Sequence, residues 1–421
     1  MVRLPRLTTD LSPLRASRDL RLVVIGNFVS GMGTQATLVA LPYQLYIETR
    51  SALLVGLLGA VELGPLVVMA LLGGAIADRM DRRRLLLLDQ IGLVAIAAAL
   101  ASVTLAGHAG VPVLYVLGGL MAGFSAVQNV ARSAIVPNLV EPEQLRSALA
   151  LNFGLYQLTM VLGPALGGVL IAWQGVASAY ALDAISCFAM VFAVLAMAPQ
   201  PPHQVAEHPS VRRSIAEGLR YVRGNQALMG SFAIDLVAMT FGMPRALFAV
   251  LSVSTFGAGA AGTGVLYAAV SAGATVGALT TGWLRSTRRL GMVVIWAVIV
   301  WGGAIAVVGL ARSLWVAAVL LAVAGAADSV SAVARSTINQ TVTPDHMRGR
   351  MSSVFSVVVT SGPRLGDIES GVVASATGVR FSIVSGGLLC LVGVAGIMAV
   401  FPALARYDAD RWIAEPATGR A

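Results

Sequence analysis

GPRLGD, residues 362–367, repeats GPALGG, residues 163–168, and that repetition decides the fold. The copies lie about 200 residues apart, and they are not alone. VARSAI at 130–135 returns as VARSTI at 333–338, and EPEQLR at 141–146 is echoed by TPDHMR at 343–348. GGAIADRMDRRR at 73–84 and TGWLRSTRRLG at 281–291 both end an apolar run with glycine and then a cluster of arginines. A chain that repeats itself once, in the same order and at one offset, is built from two related halves.

Each half is too apolar for a water-soluble domain. Of 421 residues, 57% are hydrophobic and 12% charged, and the mean hydropathy is +0.82. Runs of about 18 or more apolar residues read as membrane-spanning helices. Twelve are predicted, near 22–47, 53–77, 84–106, 112–136, 149–172 and 177–197, then 227–250, 263–284, 290–311, 314–340, 351–375 and 381–403. The expected fold class is an all-α integral membrane protein, with twelve transmembrane helices in two pseudo-symmetric six-helix halves. The halves run over 1–198 and 227–405, joined by a cytoplasmic linker at 199–226 and followed by a tail at 406–421. Every basic residue is arginine, and the net charge is +9. These arginines cluster in alternate loops, which predicts cytoplasmic termini in a multi-pass cell-membrane protein rather than a nucleic-acid partner. The arginine-rich start leads straight into a full-length span, so no cleavable signal is expected. In the linker, Val211, Ile215, Leu219 and Val222 share a helical face opposite four arginines, which suggests a short helix on the membrane surface.

Within this apolar frame the polar residues stand out. A charge in the bilayer costs about 2.5–3.5 kcal/mol, so each needs a reason to be there. In the second Gly-Pro copy, Arg364 and Asp367 replace Ala165 and Gly168. Three residues apart on one helix face, they can neutralise each other at a depth of roughly 20 Å. Glu62, Asp235 and Asp328 are deep carboxylates and candidates for proton coupling, since low dielectric favours a protonated acid. Asp235 has only apolar neighbours in sequence, whereas Asp328 has Arg335 seven residues on along the same face. Asp183 reads as a helix-packing hydrogen bonder. Arg132 and Arg335 occupy equivalent repeat positions and suggest a symmetric cytoplasmic gate. Cys187 and Cys390 lie inside apolar runs, and no metal-ligand spacing, nucleotide loop or catalytic constellation is present. No cofactor is expected and no enzyme.

The chain resembles major facilitator superfamily transporters over nearly all its length. Gly74, Ile76, Asp78, Arg79, Arg82 and Arg83 match the superfamily's Gly-x-Leu-x-Asp-Arg-x-Gly-Arg-Arg loop, with Asp81 where glycine is usual. Gly163, Pro164, Gly167 and Gly168 resemble the core of a span-five exporter motif. The run TPDHMRGRMSSVFSVVVTSGPRLGD, with Arg245 late in span seven, is most similar to the enterobactin (siderophore) exporter branch. The resemblance implies a latch at Asp78 and its arginines between the cytoplasmic ends of the halves. It also implies a cavity lined by spans one, four, seven and ten. Spans two, five, eight and eleven would join the halves, and three, six, nine and twelve would face lipid. Arg245, with Asp235, becomes a candidate substrate-binding residue. The expected function is secondary active transport by alternating access, as a monomeric proton-coupled exporter of a small organic molecule. Multidrug efflux, uptake by the same fold and a non-transporting membrane sensor are the alternatives.

Overall fold

Hydropathy and chain breaks set the helix ends. The computed structural model describes residues 11–200, 211–344 and 347–408. Eleven long helices follow the expected spans, with ends shifted by a few residues. They are α1 Arg18–Thr49, α2 Ala52–Arg79, α3 Arg82–Leu105, α4 Val111–Ile135, α5 Leu145–Gln174 and α6 Val176–Leu195, then α8 Gly259–Leu279, α9 Leu290–Leu310, α10 Leu314–Val342, α11 Arg348–Thr377 and α12 Val379–Val400. Ten of these are long and apolar enough to cross a membrane. The eleventh, α11, has 30 residues and is long enough, but Arg364, Asp367 and Glu369 sit within it.

Span seven departs from its prediction. In place of one helix over 227–250 the chain forms α7, Gln226–Phe241, and then a separate segment of Leu247–Val250 and Leu251–Thr255, the latter wound as a π-turn. The break falls at Gly242-Met243-Pro244. Proline has no N–H for the ladder, and its ring pushes the preceding residue out of helical space. The break leaves the Ala246 N–H, at the start of the second segment, without a backbone acceptor, and this matters below.

The repeat is visible in the turns. A single residue, Gly175, joins α5 to α6 at φ 84°, and Gly378 joins α11 to α12 at φ 93°. A side chain at positive φ is strained, so glycine holds both corners. Within the first half α1 packs on α5 and α6, α2 on α4, and α3 on α6. The second half packs α8 and α9 on α10, α9 on α12, and α7 on α11. Large apolar side chains of α3, α6, α9 and α12, among them Ile91, Phe192, Trp296 and Val392, stay exposed on the outer surface.

Two long contacts join the halves: α5 with α8, and α2 with α11. Both depend on backbone meeting backbone. A Cβ on Gly264 would stand 2.5 Å from the Pro164 carbonyl, and one on Gly371 would stand 2.6 Å from the Cα of Gly56. Small residues let helices approach this closely, and dispersion then holds them without any hydrophobic drive. Gly56 and Gly371 lie near the helix ends opposite the arginine-rich loops, at the start of α2 and the end of α11.

The linker helix, Val211–Arg223, is more firmly attached than a free surface helix would be. Tyr221 donates to the Val342 carbonyl at 2.9 Å. Glu217 pairs with Arg350 at 2.8 Å, and Val222 is buried while Leu219 stays exposed. It is docked on the ends of α10 and α11. The side chains of Val211, Arg212, Arg213 and Ile215 lie outside the described residues.

Candidate functional site

Asp367 does not close on Arg364 alone, as the i,i+3 spacing suggested. Arg364 Nη1 stands 3.6 Å from Asp367 Oδ2, while its Nη2 lies 2.8 Å from Glu62 Oε2 on α2. Asp367 in turn lies 3.2 Å from Arg245 Nη2. It also accepts the Ala246 N–H at 2.9 Å. The broken seventh span explains this last bond. Ala246 precedes the Leu247–Val250 helix, and its N–H, which has no backbone acceptor, favours a carboxylate there. The result is a line of alternating charges, Glu62–Arg364–Asp367–Arg245, across α2, α11 and the α7 break. Gly59 on α2 makes room for it, since a Cβ there would lie 2.8 Å from that of Asp367. Glu62 and Asp367 are buried. Two acids and two guanidinia balance, and the Glu62–Arg364 bond crosses from one half to the other.

A second network lies within the last six helices. Arg335 of α10 contacts the Asp235 carboxylate of α7 and stands 3.7 Å from Asp328. The Asp328–Arg335 pairing follows from their seven-residue spacing. Asp235, apolar in its sequence surroundings, finds its cation about 100 residues further along the chain. Asp235 is 3% exposed and its Oδ2 has no hydrogen-bond partner. Two carboxylates share one guanidinium, so the cluster carries one negative charge in excess.

The latch expected at Asp78 and Arg79 falls on side chains outside the described residues, and the arginines that follow them have these contacts. Arg82 donates to Asn138 Oδ1 at 2.7 Å, and Arg83 donates to the Val194 and Leu195 carbonyls at 2.8 and 2.7 Å. All of these partners belong to the first half. Asp81, which stands where the resembled loop has glycine, caps α3 by accepting the Arg84 N–H at 3.1 Å. The backbone of Gly74, Asp78 and Arg79 completes α2, and their side chains lie outside the described residues. Arg132, the repeat mate of Arg335, has no matching ion pair within 4.0 Å among the described residues. The Gly-Pro motif divides its contacts. Gly163 and Gly167 press on Gln35 and Ala36 of α1, and Gly168 presses on Gly264 of α8.

Glu62, Arg364 and Arg245 of the first network, with Arg132, border a cavity of about 410 Å³. The first half contributes Thr34, Gln35, Glu62, Arg132 and Tyr156, and the second contributes Arg245, Thr360 and Arg364. Leu38, Leu41, Leu66, Met121 and Met160 supply apolar wall. Asp235 and Asp328 are not on this wall, so of the two substrate-binding candidates the cavity takes Arg245 alone.

Sequence reasoning missed a set of buried polar residues in the first half. Asp89 and Gln90 of α3 and Asn27 and Ser30 of α1 are all buried. Ser30 donates to Gln90 at 3.3 Å. Asp183 of α6 accepts Thr34 and Thr37 at 3.2 and 2.8 Å, and so ties α1 to α6 as a packing residue. The available signal was a pair of adjacent polar residues, Asp89-Gln90, inside a span otherwise fit to face lipid.

Comparison with known proteins places this arrangement. A family model described as transmembrane secretion effector, of the major facilitator (MFS) type, matches residues 8–416. The enterobactin exporter EntS of Salmonella typhi is 31% identical over 396 residues, 91% of this chain and 93% of that one. EntS of Shigella boydii is 32% identical over 394 residues, 91% and 92% of the two chains. Among solved structures, a POT family transporter in complex with 5-aminolevulinic acid superposes with TM-score 0.72 at 10% identity, covering 92% and 97%. A bacterial homolog of the human lysosomal transporter Spinster gives 0.71 at 14% identity, covering 95% and 98%. The chain belongs to the transmembrane secretion effector family of the major facilitator superfamily: it is a membrane transporter of small molecules and not an enzyme.

Proposed function

We propose that this transporter is a proton-coupled exporter of a siderophore-like small molecule, working by alternating access in the bacterial inner membrane with both termini in the cytoplasm. The observation that carries the mechanism is the Glu62–Arg364 bond at 2.8 Å, which crosses between the halves on the cavity wall. Rocking the halves apart on that side must break it. Protonating Glu62 or placing an anion on Arg364 does so, and either event reports the cavity's contents to the interface. The direction and the substrate class rest on the exporter relatives.

The proton is assigned to the Asp235–Arg335–Asp328 cluster. Its excess negative charge is neutralised by one proton, and Asp235 Oδ2 is a buried acceptor without a donor. A second reading, efflux of drug-like amphiphiles, is favoured by the apolar stretch of the wall from Leu38 to Met160.

Siderophore partitioning between iron-starved cells and their medium, measured by mass spectrometry, tests the assignment. A deletion strain is compared with strains complemented by the parent gene or by Glu62→Gln. Retention in the deletion strain, relieved by the parent and not by Glu62→Gln, is the expected result. Unchanged partitioning in a strain without a second exporter removes the siderophore reading, and a drug-susceptibility panel then decides on the amphiphile one.

A further inference from the structure

The repeat places one arginine in each half at the same point, yet among the described residues only one forms a salt bridge. Arg335 lies between two carboxylates. Arg132, on α4, has no carboxylate within 4.0 Å among the described residues. Its Nε and Nη2 are buried and make no hydrogen bond. Those two nitrogens form the side-on fork of the guanidinium, which matches the two oxygens of a carboxylate. Asp89 of α3 is within electrostatic reach of Arg132 but forms no salt bridge with it; its Oδ2 accepts from Gln90 at 3.3 Å, and its Oδ1 is buried without a hydrogen-bond partner.

A second, independent feature points into the same space. Asn27 of α1 is 8% exposed, and neither its Nδ2 nor its Oδ1 has a partner. Buried amides without partners are costly and rare. Arg132 and Asn27 both line a cavity of about 390 Å³ between α1, α4 and α5. Its other walls are mostly apolar and partly aromatic, with Phe28, Phe153 and Tyr156, and carry two further amides, Asn129 and Asn152. Arg132 and Tyr156 also line the central cavity, so this space is a side chamber of it.

We infer that this chamber is a second ligand site, selective for aromatic monocarboxylates. The carboxylate takes the Nε/Nη2 fork of Arg132, the Asn27 amide takes a polar substituent, and the ring lies among Phe28, Phe153 and Tyr156. Glu62 and Arg364 do not line this chamber, but Arg132 and Tyr156 belong to both spaces, so a ligand here adjoins the proposed substrate site.

Calorimetric titration of the purified full chain in nanodiscs tests this, with 2-naphthoate as the probe and neutral 2-naphthamide as its isostere. The parent should bind naphthoate more tightly, and Arg132→Gln should erase the preference, a loss of about ten- to hundredfold for a charge-assisted bond. Arg132→Lys keeps the charge without the fork and should lose most of the preference while folding as the parent does. Leu149→Trp should block binding, because Leu149 lines the side chamber and not the central cavity. Equal affinity for acid and amide, or a preference that survives Arg132→Gln, overturns the site. Undiminished binding in Leu149→Trp does the same, by placing the probe elsewhere.

Discussion

Replacing Asp367 with asparagine removes one charge from the four-membered line and almost nothing else. The side chain keeps its shape and an oxygen to accept the Ala246 N–H, now at 2.9 Å. Lost are attractions to Arg245 at 3.2 Å and Arg364 at 3.6 Å. At an effective dielectric of about 20, each is worth about 5 kcal/mol before desolvation is subtracted. Desolvation of the carboxylate offsets much of that sum, and removing one partner of a buried pair costs about 3–5 kcal/mol net. Asp367→Asn should therefore insert into the membrane but unfold more readily by about that amount. The test is a double-mutant cycle with Arg245→Gln, read by denaturant unfolding of purified protein in bicelles. Once Arg245 is neutral, removing the Asp367 charge should cost much less, with a coupling energy of about 2–3 kcal/mol. Additivity within about 0.5 kcal/mol would refute the network and leave Asp367 as a helix cap alone. Transport should follow stability only in part: with folded protein held equal, Asp367→Asn should still lose most of its flux.

Three further outcomes follow from the same geometry. Gly371→Ala places a Cβ at 2.6 Å from the Cα of Gly56, so α2 and α11 must part; a loss of about 1–3 kcal/mol and weaker crosslinking between cysteines introduced at the start of α2 and the end of α11 are expected. Asp81→Ala removes the cap on α3 and should cost about 1 kcal/mol in unfolding free energy, with transport per folded molecule intact. Asp235→Asn removes the excess charge beside Arg335; everted vesicles should lose flux driven by an imposed pH gradient while retaining downhill exchange of substrate, and gradient-driven flux at the parent rate would exclude Asp235 as the proton site.

The frame was legible because hydropathy and duplication are properties of the chain itself. Gly-Pro-x-Leu-Gly recurs at one offset, and it marks helices that join the halves. What the sequence hid is pairing across the fold. Asp235 reads as solitary because its neighbours along the chain are apolar, and its cation is on α10. Arg364 and Asp367 read as a closed pair because only their spacing is visible, while Glu62 and Arg245 reach them from other helices. The break in span seven was written in Gly242-Met243-Pro244, but hydropathy continues through it and masks the stop. Asn27 and Asp89 gave weaker signals still. A single polar residue in an apolar run does not say whether it faces lipid, a neighbour or a cavity.

The two copies of the Gly-Pro element have come to serve unlike interfaces. On α5 the copy is uncharged, and Gly168 meets Gly264 of α8 through backbone and van der Waals contact alone. On α11 the same frame carries Arg364 and Asp367 against Glu62 of α2. A glycine contact of the first kind is indifferent to protons and to ligand charge, so it can act as a fixed pivot. The α2–α11 contact changes its energy whenever a proton or an anion enters the cavity, because one added charge unbalances a neutral line of four. On the proposed alternating-access mechanism, one of two pseudo-equivalent interfaces would be mechanically constant and the other chemically responsive. A symmetric pair of inert interfaces would let the halves rock without regard to what the cavity holds. On the proposed mechanism, a base and an acid in place of the alanine and glycine of the other repeat would supply the coupling that a duplicated, uncharged frame lacks.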